Sequence, residues 1–205
     1  MSEIFWRHGM TETTLPGRRS DSQDPRALRT RKALIDATMR LLNDYEVADL
    51  NVSQIVKEAG VSRQVFYQHF EDRDALVLAT AAQWVLAAYG SFAERFSIDK
   101  NFEASVTALA QATAGHYTAA TRIIDSPIHS LLDNQVYEVM LPTMREQLLP
   151  RAARWENADM KLVDDMARFY IAGMQQLIEQ CIREGVPAEE FGRRAEAVRR
   201  VLIRE

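Results

Sequence analysis

Between Asn51 and Phe70 three capping signals follow one another at spacings that constrain the chain more than any other feature. Asn51 is followed three residues later by Gln54, so the asparagine side chain can cap a helix while the glutamine reaches back to the capping residue. Gly60 comes after Ile55, Val56 and Ala59, and glycine suits the left-handed conformation that closes a helix. Ser62 then caps a further helix running through Val65, Phe66 and Phe70. Two short helices joined by a turn at Gly60 and Val61, with a longer helix before them, form a helix-turn-helix pattern.

The preceding helix is signalled by Asp24 as N-cap, Pro25 as first helical residue, and Leu34, Ala37 and Leu41 at helical spacing; it is expected to end near Asn43. Residues 1–23 have no apolar period, although Ile4, Phe5 and Trp6 cluster, and they read as a flexible arm. From Asp72 onward only helices are expected. These are a long one to about Phe96, one from Phe102 to Tyr117, a segment broken by Pro127, one from Asn134 to Leu149, one from Ala158 to Glu184, and a last from Ala188 to about Arg204. The expected fold is therefore all-α: an arm (1–23), a three-helix helix-turn-helix domain (24–73), and a helical bundle (74–205).

A net charge of −4 is unpromising for a chain that must meet phosphate, but its distribution is uneven. Arg18, Arg19, Arg26, Arg29, Arg31 and Lys32 stand against Asp21 and Asp24, a local balance of +4. Arg29 and Arg31 read equally well as helpers at a phosphate surface and as solvated charge. No run reaches the roughly 18 uninterrupted apolar residues of a membrane span, and no apolar core with a small-residue cleavage site opens the chain, so no membrane partner and cytoplasmic residence are expected. The single cysteine, Cys181, reads as a small buried hydrophobe.

Residues 62–70, Ser-Arg-Gln-Val-Phe-Tyr-Gln-His-Phe, carry the chemistry. On a helix, Phe66 and Phe70 share an anchoring side, whereas Arg63, Gln64 and Tyr67 project elsewhere. Arg grips a guanine edge and Gln an adenine edge through paired hydrogen bonds, and Val65 can touch a thymine methyl. Tyr67, His69 and Arg73 suit phosphates, as does the Ser53 hydroxyl at the start of the second helix. Tyr67 also has a core reading beside two phenylalanines, and His69 a plain surface reading.

With these residues in place, residues 29–79 resemble the DNA-binding domain of the TetR family. The likeness runs through Ile55, the Ala59-Gly60-Val61-Ser62 turn, Phe66 to Phe70, and Asp72 to Leu76. It implies a helix from Arg63 to His69 in the major groove, an all-helical homodimer on an inverted-repeat operator in double-stranded DNA, and DNA contacts at Ser53, Arg63, Gln64, Val65, Tyr67, His69 and Arg73. It also implies that residues 74–205 are a helical-bundle ligand-binding and dimerisation domain, with a ligand inside the bundle that shifts the fourth helix and so the spacing of the heads. Asn51-Val52 departs from the family, which often has one or two threonines there; Asn51 keeps the cap, but Val52 lacks a hydroxyl that could bond phosphate.

The remainder resembles the family only in helical layout. Its inward aromatic and flexible side chains nominate Trp84, His116, Tyr137, Met140, Phe169 and Met174 for a pocket, pointing to a hydrophobic or aromatic small-molecule effector. The helix from Ala158 is apolar on two sides, so Leu162, Met166, Phe169, Gly173 and Leu177, with Val198 and Leu202 of the last helix, are candidates for a dimer interface. The four histidines are scattered, and no paired cysteines, Gly-x-Ser-x-Gly or glycine-rich phosphate loop occurs. No catalytic residue, metal ligand or cofactor is therefore expected. The function expected is sequence-specific transcription regulation, as a repressor released by a ligand, with activation left open; the alternative is a helical protein–protein interaction module that does not bind DNA.

Overall fold

A computed structural model describes residues 24–154 and 159–202; the expected arm, with its Ile4-Phe5-Trp6 cluster, lies outside the described residues. These residues form α-helices joined by short turns, and no strand occurs among them. The first three are α1 (Pro25–Leu41), α2 (Val52–Ala59) and α3 (Arg63–His69), followed by the 27-residue α4 (Arg73–Asp99). Then come α5 (Phe102–Ala114), α6 (Tyr117–Ile124), α7 (His129–Ala152), α8 (Met160–Arg183) and α9 (Ala188–Leu202).

The caps act as their residue types dictate. Asn51 accepts from the Gln54 N–H at 3.1 Å while the Gln54 side chain accepts from the Asn51 N–H at 2.8 Å. Gly60 takes φ 68°, ψ 31°, the left-handed conformation that costs a side-chain-bearing residue strain. Ser62 accepts from the Val65 N–H at 3.2 Å, and Asp72 from that of Ala75 at 2.8 Å.

Two expectations about helix ends need correction. The helix from Phe102 stops at Ala114, because Gly115 ends it and His116 is the N-cap residue of α6. The helix expected from Asn134 begins five residues earlier at His129 and continues through Pro142 and Pro150 to Ala152. A proline within a helix removes one backbone donor, a loss that packing against α4 and α8 outweighs here.

The architecture is organised by α4, which contributes to three apolar clusters in turn. Leu76 and Ala79 pack with Leu34, Ile55, Phe66 and Phe70 in the head. Val77, Ala81 and Ala82 pack with Leu42, Val47 and Leu50 of the head and with Ala119 and Ile123 of α6, Ile128 of the turn after it and Leu132 of α7, forming a junction. Ala88, Phe92 and Phe96 enter the body core with α5, α7, α8 and α9. By length and composition α4 would also cross a bilayer, which a search for uninterrupted apolar runs overlooks; here its apolar side chains supply three cores.

Polar links reinforce the junction. Arg122 of α6, 20 % exposed, donates from Nη1 to the carbonyl of Leu42 at the end of α1 (2.8 Å) and from Nε to Glu46 (2.9 Å). Arg183 of α8 donates from Nε and Nη2 to Asp125, the residue closing α6, at 3.1 and 3.0 Å. The eight-residue α6 is thus bound to the head on one side and to the body on the other.

Candidate nucleic-acid interface

Helix α3 is defined first by what anchors it. Phe66 of α3 and Phe70, the residue that closes it, are 0 % and 1 % exposed, with ring centroids 6.1 Å apart. Truncating either to alanine would cost on the order of 3–5 kcal/mol. Arg31 closes this core from α1: its guanidinium lies 4.5 Å over the Phe70 ring, and burial lowers its pKa. Arg31 is therefore neither a solvated charge nor an outward helper, and part of the local positive balance is spent inside the head.

His69 lies three residues after Phe66 and so falls on the same anchoring side; it is 3 % exposed. That overturns its expected role at a phosphate and its surface reading alike. Arg73 also turns inward. Its Nη1 donates to the carbonyls of Ala48 (2.9 Å) and Leu50 (3.0 Å), and its Nε to Asp74 (2.8 Å). The expected phosphate contact at Arg73 gives way to a tie between the start of α4 and the turn before α2.

Arg63 and Gln64 are exposed, Tyr67 is 44 % exposed, and Val65 is half-buried beside them. The Tyr67 ring meets Phe66 edge to face at 5.1 Å, so its root packs on the core while its body stays accessible. Ser53 is exposed in the first turn of α2. Lys32 is paired with Asp36 and Arg40 with Glu58, whereas Arg26, Arg29, Lys57 and Arg63 are exposed and form no ion pair with another described residue. Lys57, which no motif singled out, joins the candidate surface through this exposure alone.

Residues 34–80, spanning this head from α1 into α4, match the family model described as bacterial regulatory proteins, tetR family. The head is similar to the DNA-binding head of TetR-family regulators. The HTH-type transcriptional regulator BetI of Cronobacter sakazakii is 40% identical over 50 residues, 24% of this chain and 25% of that protein. BetI of Escherichia coli is 38% identical over 50 residues, 24% of this chain and 26% of that protein. The chain's match spans about a quarter of the length of these curated relatives. The solved structure of the dihydroxyacetone kinase operon activator DhaS covers 85% of this chain and 96% of its own at a TM-score of 0.59, with 16% identity, a likeness of fold.

Behind the head, the body holds a cavity of about 30 Å³ between α4, α5, α7 and α8. Of the nominated pocket residues, Met140 and Met174 line it. Trp84 and His116 instead meet each other edge to face at 6.3 Å, and Tyr137 lies under the Arg168 guanidinium at 4.2 Å, so none of the three faces the cavity. Phe169 is corrected outright as a pocket residue: it is 73 % exposed, while its neighbour Tyr170 is 7 % exposed and lines the cavity. One residue turns a helix by about 100°, enough to exchange inside for outside. Tyr89, Phe92, Phe102 and Met144 also line the cavity and were not nominated.

The second side of α8 behaves differently from the first. Val163, Ala167, Ile171, Met174 and Ile178 are buried in the body core. Phe169 and Gly173 are exposed, and Leu162, Met166 and Leu177 half-buried; on α9, Val198 is 38 % and Leu202 56 % exposed, with Val201 beside them at 68 %. The described residues of one chain leave this apolar stripe uncovered. Among them, no group of three or more His, Cys, Asp or Glu side chains is placed to hold a metal ion.

Proposed function

We propose that the protein is a cytoplasmic, homodimeric transcription regulator that binds an inverted-repeat operator in double-stranded DNA and represses until a small molecule releases it. The observation that carries this is the two-sidedness of α3: Phe66, His69 and Phe70 fix it to the head, and Arg63, Gln64 and Tyr67 stand accessible on it. On this reading Arg63 and Gln64 read base edges, Val65 meets a thymine methyl, and Tyr67 and Ser53 hold phosphates. The tetR-family match of residues 34–80 supports it. The uncovered stripe on α8 and α9 supports a dimer, since an apolar surface rimmed by polar residues marks a protein interface.

A helical interaction module that ignores DNA would leave two exposed base-reading side chains on a clamped helix without a purpose. Repression needs only occupancy of a promoter. A regulator of similar fold is an activator, so the sign of control is read from promoter activity rather than from fold. The deciding experiment selects random duplexes with the purified protein and repeats the selection with Arg63→Ala and Gln64→Ala. An inverted repeat should emerge whose preferred bases change in each variant, with Arg63→Ala costing about 1–3 kcal/mol. Absence of enrichment together with absence of binding at low salt would remove the DNA-reading function.

A further inference from the structure

We infer that Arg122 of α6 is a positioning residue for operator recognition. By tying the segment between α1 and α2 to the body, it sets the angle of the head, and with it the half-site spacing that the protein accepts, without touching DNA. This rests on the paired-head reading above and adds what fixes the distance between the heads.

Helix α4 alone would hold the head loosely. From Leu76 in the head core to Phe92 in the body core it rises about 24 Å, at about 1.5 Å per residue. A tilt of about 8° over that length carries the head by about 3.4 Å, the rise of one base pair. Two packed bodies joined by one helix are free to make such a tilt unless a second contact opposes it. The apolar junction, where Leu42 and Val47 meet Ala119 and Ile123, resists separation. Hydrophobic contact is non-directional, however, and by itself fixes an angle poorly.

Arg122 supplies the direction. Its planar fork donates at once to the Leu42 carbonyl (2.8 Å) and the Glu46 carboxylate (2.9 Å), a geometry that only a narrow range of head angles satisfies. Leu42 closes α1, where backbone carbonyls lack intrahelical partners and the helix end is negative, so a largely shielded guanidinium is held firmly there. Arg73 of α4 grips the same segment at its far end, through the carbonyls of Ala48 and Leu50. The 42–50 segment is thus held at both ends, by one arginine from each of two helices. The other end of α6 is fixed in turn: Asp125, which closes it, accepts both bonds from Arg183 of α8. Because α8 carries the uncovered stripe of the proposed dimer, a bonded path runs from the end of α1 through α6 to the helix beside the two-fold axis. Slack in either link becomes play in the distance between heads.

The test uses the full chain and three duplexes: a selected inverted repeat, and the same repeat with its half-sites one base pair closer and one base pair further apart. Fluorescence anisotropy gives the affinity for each. The unaltered chain should prefer the selected spacing by about tenfold or more. Arg122→Ala should reduce that preference about threefold or more, leaving half-site base preferences and binding to a single half-site unchanged. Arg183→Ala, at the more exposed link, should act in the same direction, and Arg122→Lys, which keeps the charge but not the fork, should fall between. Glu146→Ala, which cuts the Lys100–Glu146 pair at the far end of α4, should leave the preference as it was. Where Arg122→Ala loses its helical signal, Glu46→Ala, at an exposed carboxylate, decides by the same ratio. A merely stabilising Arg122 would lower the melting temperature and weaken all three duplexes alike; an unchanged ratio therefore overturns the inference and leaves the DNA reading standing. A chain that selects half-sites with no preferred spacing, or no duplex at all, overturns the paired-head reading and this inference together.

Discussion

At the scale of single residues, polarity is a poor guide to which way a side chain of the head faces. Arg31, His69 and Arg73 are all of a type suited to phosphate, and all three are used inward: one over a phenylalanine ring, one within the anchoring side of α3, one on two backbone carbonyls. For Arg73 this has a measurable consequence. Arg73→Ala removes charge-assisted hydrogen bonds to Ala48 and Leu50, each worth about 1.5–3 kcal/mol where it is shielded and less here, where the site is partly exposed. Chemical denaturation should show the midpoint falling even without DNA. An unchanged midpoint, with a shallower salt dependence of DNA binding, would return Arg73 to the phosphate surface. The same limit on residue-level reading explains Phe169. Its aromatic character was visible in the sequence, but whether it or Tyr170 faces inward depends on the rotation of α8 against its neighbours, which no local signal sets.

At the scale of elements, the head was legible because its signals act over three to five residues: the Asn51/Gln54 box, the left-handed Gly60, the Ser62 and Asp72 caps. The body was legible as helices but not as a site. Its cavity draws residues from α4, α5, α7 and α8, and the Arg122 bond to Leu42 joins residues 80 apart in sequence. Gly192 shows the same dependence on packing. Within α9 it looks like a helix-weakening residue that alanine would improve by about 0.8–1.0 kcal/mol. Yet an added Cβ there would meet the Thr107 side chain and approach the Glu103 carbonyl oxygen of α5 to 3.0 Å. The threonine could rotate only by giving up its 2.8 Å bond to that same carbonyl, and the backbone cannot yield cheaply. Overpacking of this kind costs about 1–3 kcal/mol and outweighs the propensity gain. Gly192→Ala should therefore lower the melting temperature; a rise would mean that α5 and α9 pack more loosely than the structure has them.

At the scale of the whole molecule, the proposed function needs the heads as a pair. A single head reads too few base pairs to bind tightly, and two heads on half-sites about 34 Å apart gain affinity because the second contact becomes intramolecular. In the proposed dimer the uncovered α8 and α9 stripe joins them. Phe169→Asp tests this cleanly, since a position 73 % exposed in one chain tolerates a charge at a cost of about 0.5 kcal/mol or less to that chain. At a dimer interface the same carboxylate is buried twice, once from each subunit, facing or near its own copy across the two-fold axis and without a partner. Sedimentation should then show a folded monomer, with binding to the inverted repeat weakened about 10²-fold or more and half-site binding little changed. Intact dimers with full operator affinity would place the subunit contact elsewhere on the body. Monomers that keep full operator affinity would show that each head binds without its twin, and the inverted-repeat requirement would fall with the dimer.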